Sequence, residues 1–188
     1  LHMKKFWQRL VLFGLTGAFF VSCISCSAAN TASKVPILMY HNLTNDPSAV
    51  TSMTITGERF QEDMEYLEYN GYTPLLSADL IDIRAGKEAM PERPVMITFD
   101  DGYRSNYDIA YPILQKTGMK AVIALIGKSI RANDNTEANR FFIKWDEAAE
   151  MADSGLVELA SHTYNLHNPQ YGGLTAPDGI NGIQRLKG

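Results

Sequence analysis

Two adjacent carboxylates, Asp100 and Asp101, follow Val95-Met96-Ile97-Thr98-Phe99 and precede Gly102, Tyr103 and Arg104. Mostly β-prone residues running into two acids and a glycine read as a buried strand that delivers both acids to its C-terminal tip. In α/β proteins the strand tips are where chemistry is assembled. Neighbouring side chains on an extended chain point in different directions, so the two acids need not share a role. One can bind a metal ion while the other handles a proton. A strand that simply ends in a solvated acidic turn is the plain alternative, because turns favour Asp and Gly.

A second pair of potential ligands occurs in His162-Thr163-Tyr164-Asn165-Leu166-His167, directly after the strand pattern Val-Glu-Leu-Ala-Ser. Two imidazoles and one carboxylate at strand tips can make a facial metal site with positions open for water and substrate. Zinc suits such a set. It would lower the pKa of water towards about 7 and polarise a carbonyl, and the second carboxylate could then take the proton from that water. Two histidines five apart are a weak motif alone and are often incidental. Two ligand pairs on separate strand tips bring the metal-hydrolase reading level with the incidental one.

The chain of 188 residues is long enough for one domain and short for two. Lys4, Lys5 and Arg9 precede an apolar run over 10–21 and a stretch of small residues up to Ala29. This pattern predicts a secretory signal over 1–29, with an uncleaved membrane anchor as the alternative. The apolar run is short against the roughly 20 residues of a membrane span. Removing 1–28 takes away three of the 17 basic residues and none of the 21 acids, leaving a net charge of −7. An acidic exported body disfavours nucleic acid and other anionic polymers as partners. Any membrane contact is expected only through the N-terminal segment. Both cysteines, Cys23 and Cys26, lie in the leader, and either could carry a lipid. The body therefore has no thiolate to offer a metal, and its ligands must be His and carboxylate.

A polar linker over 30–34 separates the leader from a domain expected over 35–188. The stretch 35–40 is a short apolar strand ending at His41; a histidine there can face a site, with a capped surface residue as the default reading. Phe60, Met64 and Leu67 fall at helical spacing over 58–70, with Thr56 as the starting cap and Gly71 as the stop. A short strand over 72–76 and a helix from Ser77 to a stop at Gly86 follow, with Leu80, Ile81 and Arg84 along it. Residues 106–116 read as helical if Pro112 falls near a first turn, with Gly118 as the close. Residues 121–126 form a continuous apolar strand, buried on both faces in a parallel sheet. A helix starting at Trp145, capped by Asp146, ends at Gly155. Strands alternating with helices at this spacing indicate a parallel α/β sheet or barrel.

With these residues in place, the sequence resembles the NodB-homology polysaccharide deacetylases, carbohydrate esterase family 4. Thr98-Phe99-Asp100-Asp101-Gly102, and Ser161-His162-Thr163 through His167, are similar to the family's first two motifs. Segments 36–41, 60–72, 111–114, 118–121 and 145–161 agree in order and spacing. The longer spacing between the histidines resembles the branch containing exported poly-N-acetylglucosamine deacetylases. The resemblance implies a deformed (β/α) barrel and hydrolysis of N-acetyl groups on N-acetylglucosamine-containing polysaccharide of the cell envelope or exterior. It implies Asp100 as general base, and Asp101, His162 and His167 as ligands of zinc, or of cobalt or nickel. The backbone amide of Tyr103 would help hold the oxyanion.

The family's later motifs are not in this sequence: the arginine that orients the base, the Asp-Trp element of the groove, and the late histidine that serves as acid. His41 lies in the wrong part of the chain to be assumed its substitute. The expectation is an N-terminal portion of such an enzyme, about the first half of the barrel. A catalytically inactive metal- or glycan-binding fragment is the rival reading.

Overall fold

The computed structural model describes residues 34–132 and 140–166. The leader expected over 1–29 and the ligand expected at His167 lie outside the described residues. In chain order the elements are β1 (Ile37–Tyr40), β2 (Asn42–Thr44), β3 (Thr54–Thr56), α1 (Gly57–Tyr69), β4 (Thr73–Pro74), α2 (Ser77–Arg84) and β5 (Pro94–Phe99). A π-helical turn over Asn106–Ala110 then leads into α3 (Tyr111–Thr117), β6 (Ala121–Leu125), α4 (Gly127–Ala132), α5 (Trp145–Asp153) and β7 (Val157–Ser161).

The main sheet is parallel, in the order β1-β5-β6-β7, with β4 paired to the start of β5. β5 has neighbours on both sides, and Val95, Met96, Ile97 and Phe99 on it are all buried. β6 is likewise buried at Ala121, Val122, Ile123 and Leu125. Covered on both faces, these two strands carry apolar runs rather than an alternating pattern. That is the parallel α/β architecture the sequence predicts.

The helices end where local chemistry says they should. Thr56 Oγ1 accepts from the Arg59 amide at 3.1 Å, satisfying one of the orphan donors at the start of α1. Phe60, Met64 and Leu67 then point into the core, and Gly71 leaves the helix in the left-handed region at φ 69°. Pro112 is tolerated because the π turn ends at Ala110, which places the proline in the first turn of α3. The cap expected from Asp146 is corrected. Glu147 Oε2 reaches back to the Lys144 amide at 2.8 Å, while Asp146 lies inside the first turn of α5. The carboxylate three residues past the cap closes this helix end, as in half of a capping box. α2 forms where expected but buries none of its residues, and Ile81 stands 67% exposed. The parallel pair β2–β3 has no signal in the sequence; each strand is three residues long.

Candidate functional site

The site begins with three aromatic rings beneath two strand ends. Tyr40, Phe60 and Phe99 pack with centroids 5.0, 5.3 and 5.5 Å apart, and Phe60 and Phe99 are fully buried. Edge-on and tilted pairs of this kind contribute about 0.5–1.5 kcal/mol each beyond their burial. Tyr40 is the register partner of Phe99. The next residue on each strand, His41 on one and Asp100 on the other, therefore emerges at the same level. The Asp100 amide donates to the Tyr40 carbonyl at 3.0 Å, extending the ladder to the last rung.

Beyond Phe99 the backbone turns through two successive left-handed residues, Asp101 at φ 73° and Gly102 at φ 75°. For a non-glycine residue that conformation is costly and is held only by surrounding contacts. Several are visible. The Ile126 amide donates to the Asp101 carbonyl at 3.4 Å, the Ile143 amide to Gly102 at 3.0 Å, and the Arg104 amide to Phe141 at 2.7 Å. The last two are the rungs of a short antiparallel bridge, with the Tyr103 and Phe142 rings stacked at 5.4 Å. These rungs use the amide and carbonyl flanking Tyr103, so the Tyr103 N–H is directed away from the bridge. Burial, and after it the Asp101 charge, hold the Tyr103 phenol above its ordinary pKa.

Gly102 also needs its lack of a side chain. A Cβ there would lie 2.7 Å from Leu125 Cδ2 as well as in the left-handed region. Gly102→Ala is expected to destabilise the fold by roughly 1–2 kcal/mol from backbone strain alone. A lowered urea midpoint with unchanged m-value would report it.

Asp101 and His162 come together across the tip of β6. The His162 amide donates to the Leu125 carbonyl at 2.8 Å, and His162 Nε2 stands 3.5 Å from Asp101 Oδ1. The chain after β6 turns away at once into α4, whose first amides cap the carbonyls of Thr163 and Tyr164 at 3.1 and 2.9 Å. Thr163 is the other described non-glycine residue at positive φ, 67°. Both strained positions thus belong to the loops that carry the expected ligands, where strain tends to gather at functional sites.

The donor set fits a divalent metal. Two ligands of one tetrahedral zinc, each about 2.0–2.1 Å from the ion, are about 3.3 Å apart, close to the observed 3.5 Å. A carboxylate oxygen and an imidazole nitrogen are both ordinary zinc ligands. Among the described residues no three His, Cys, Asp or Glu side chains converge on one point. The third ligand expected, His167, lies outside the described residues.

The default reading of His41 as a capped surface residue is overturned. Its side chain is only 13% exposed, and Nε2 lies 3.8 Å from Asp100 Oδ2. Its place at the end of an apolar strand allowed a site-facing role, but the pairing with Asp100, across 58 intervening residues, follows only from β1 lying beside β5. Asp100 and His41 lie on one side of the tip, Asp101 and His162 on the other. The two acids do separate, but the reason differs from the alternation of an extended chain: Asp101 already lies in the left-handed turn.

A parallel sheet with its acids and imidazoles gathered at the carboxyl ends of the strands is a chemical-site layout of the α/β class. The polysaccharide deacetylase family model matches residues 87–186, more than half of the sequence, and the chain belongs to that family. It is 34% identical over 138 residues to the poly-beta-1,6-N-acetyl-D-glucosamine N-deacetylase of Escherichia coli (strain K12), covering 69% of this chain and 20% of that protein. It is 37% identical over 131 residues to a provisionally named polysaccharide deacetylase of Bacillus subtilis (strain 168), covering 70% and 43%. The structure resembles that of a de-N-acetylase from Aggregatibacter actinomycetemcomitans with a TM-score of 0.63 and 34% identity, covering 71% of this chain and 56% of that one. The chain thus spans from a fifth to little more than half of the length of these relatives.

Proposed function

We propose that the site performs metal-dependent hydrolysis of the N-acetyl group on N-acetylglucosamine-containing polysaccharide, releasing acetate and leaving a free amine. The observation that carries the reading is the pairing at one end of the sheet: Asp101 with His162, beside Asp100 with His41. Family membership and the names of the relatives agree with it. Asp101 and His162, with His167, would hold a divalent ion, zinc in preference to cobalt or nickel. When bound, such an ion polarises the acetyl carbonyl and makes neighbouring water more acidic.

The chain's own groups account for the protons. Asp100 accepts one from the attacking water as its oxygen bonds to the acetyl carbon. The amide C–N bond then breaks, and the departing nitrogen needs a proton. The His41 imidazole, with Nε2 within 4 Å of Asp100 Oδ2, is placed to relay one to that nitrogen. The Tyr103 N–H, directed away from the bridge to Phe142, can donate to the developing oxyanion. The basic and apolar leader supports export, by a signal, a membrane anchor or a lipid on Cys23 or Cys26, and so a glycan of the envelope or exterior as substrate.

The test is acetate release from N-acetylglucosamine oligomers by the purified chain, with metal content measured on the same sample. About one equivalent of zinc with acetate release is expected. Activity should disappear on chelation and return with added zinc. Metal without acetate release would instead favour the inactive glycan- or metal-binding reading. Acetate release unaffected by exhaustive chelation would remove the metal from the proposal.

A further inference from the structure

The segment bearing His41 is fastened to the segment following the acidic turn by a ladder of side-chain hydrogen bonds outside the backbone pairing of β1 with β5. Asn106 Nδ2 donates to the His41 carbonyl at 2.8 Å. Ser105 Oγ donates to Asn42 Oδ1 at 2.7 Å and accepts from the Leu43 amide at 2.9 Å. Asn42 Nδ2 continues the network to Thr54 Oγ1 on β3 at 3.2 Å.

Asn106 is the anomaly in this group. It is fully buried, and among the described residues its Oδ1 has no hydrogen-bond partner. A buried acceptor left unsatisfied is unfavourable, so a purely apolar packing role would be better filled by leucine. What the amide contributes is its donor end, aimed at the residue whose imidazole faces Asp100. Asn106 also opens the π turn. Such turns are uncommon and recur at functional sites. From the first residue of this turn the Asn106 side chain reaches the His41 carbonyl.

We infer that Asn106 is a positioning residue: its side-chain amide fixes the His41 backbone so that the imidazole stands over Asp100. It touches neither substrate nor metal and acts through His41. The inference rests on the proposed role of His41, and its test separates the two.

Kinetics of His41→Ala, Asn106→Leu and the double variant form a cycle. Asn106→Leu keeps the branched shape and heavy-atom count while removing both the donor and the unpaired oxygen, and Asn106→Ala serves if the bulkier leucine disturbs folding. The expected result is a kcat fall of about 10- to 100-fold for either Asn106 variant, within the range that a misplaced acid–base group can lose. KM and metal content should stay near wild type, while the thermal midpoint falls by a few degrees because the His41 carbonyl loses its donor. The double variant should match His41→Ala, because a mispositioned group that has been deleted can lose nothing more. A double variant carrying the product of both losses, or a KM change without a kcat change, would overturn the positioning role.

His41→Ala with wild-type kcat would instead overturn the proton-handling reading of His41. A readout free of activity stands beside these: the 13Cε1 resonance of the His41 ring, assigned by its absence in His41→Ala. Asn106→Leu should shift or broaden that signal and leave the His162 signal in place. An unmoved His41 resonance would overturn the inference even in a chain that releases no acetate.

Discussion

Asp100→Asn is expected to abolish measurable acetate release while leaving the metal in place. The asparagine keeps the size of the side chain and the Asp100 amide bond to Tyr40, so the end of β5 should be undisturbed. What is lost is the capacity to take a proton from water, which for a positioned general base is worth about 10²- to 10⁴-fold in rate. Asp101 cannot take over. It lies on the opposite side of the turn, in the left-handed conformation, with its carboxylate directed to His162. Paired measurements of kcat and metal content decide the matter. Acetate release within a few-fold of wild type would remove Asp100 from the mechanism, and loss of the metal would make it a ligand instead of a base.

His162→Ala is expected to produce the opposite pattern, with metal content falling first and activity lost as a consequence. The imidazole stands 3.5 Å from Asp101 Oδ1, and its removal leaves the described part of the site a single ligand. Even a group that only orients a ligand is worth about 10- to 100-fold in metal affinity, so deleting the ligand should exceed that. The backbone of the loop should survive, because its bonds run through the His162 amide to Leu125 and through Thr163 and Tyr164 to the start of α4. An unchanged zinc stoichiometry after dialysis would refute the assignment. A metal loss of equal size in Asp101→Asn would place both residues on one ion.

These two variants touch the residues that the sequence singles out, while the partners of His41 and the placement of Asn106 are set only in three dimensions. The chemistry-bearing motifs are local: apolar strands end in Asp100-Asp101-Gly102 and in Ser161-His162-Thr163, and each motif fixes its own tip. Caps and stops are local too, so α1 and α3 fall close to the expected positions. The cap of α5 was misplaced because Asp146 and Glu147 are both plausible acceptors. Only the packing that draws Glu147 back over Lys144 and onto the buried Arg140 guanidinium decides between them. The strands β2 and β3 were invisible since three residues carry no periodicity. They are held by pairing to each other and by the Asn42–Thr54 side-chain bond.

The sequence by itself determined the class of architecture, the two strand tips that bear acid and imidazole, and the separation of Asp100 from Asp101 onto different sides of one turn. All of these follow from short-range rules of burial, side-chain alternation and turn formation. The tertiary structure alone decided which tips meet. Parallel strands pair through long connections, and nothing within a strand specifies its neighbour. Placing β1 against β5 brought His41 to Asp100, and with β6 between β5 and β7, Asp101 and His162 meet across its tip. The Asn106 ladder belongs to the same category: its donor and acceptor lie 65 residues apart and become neighbours only when the sheet is assembled.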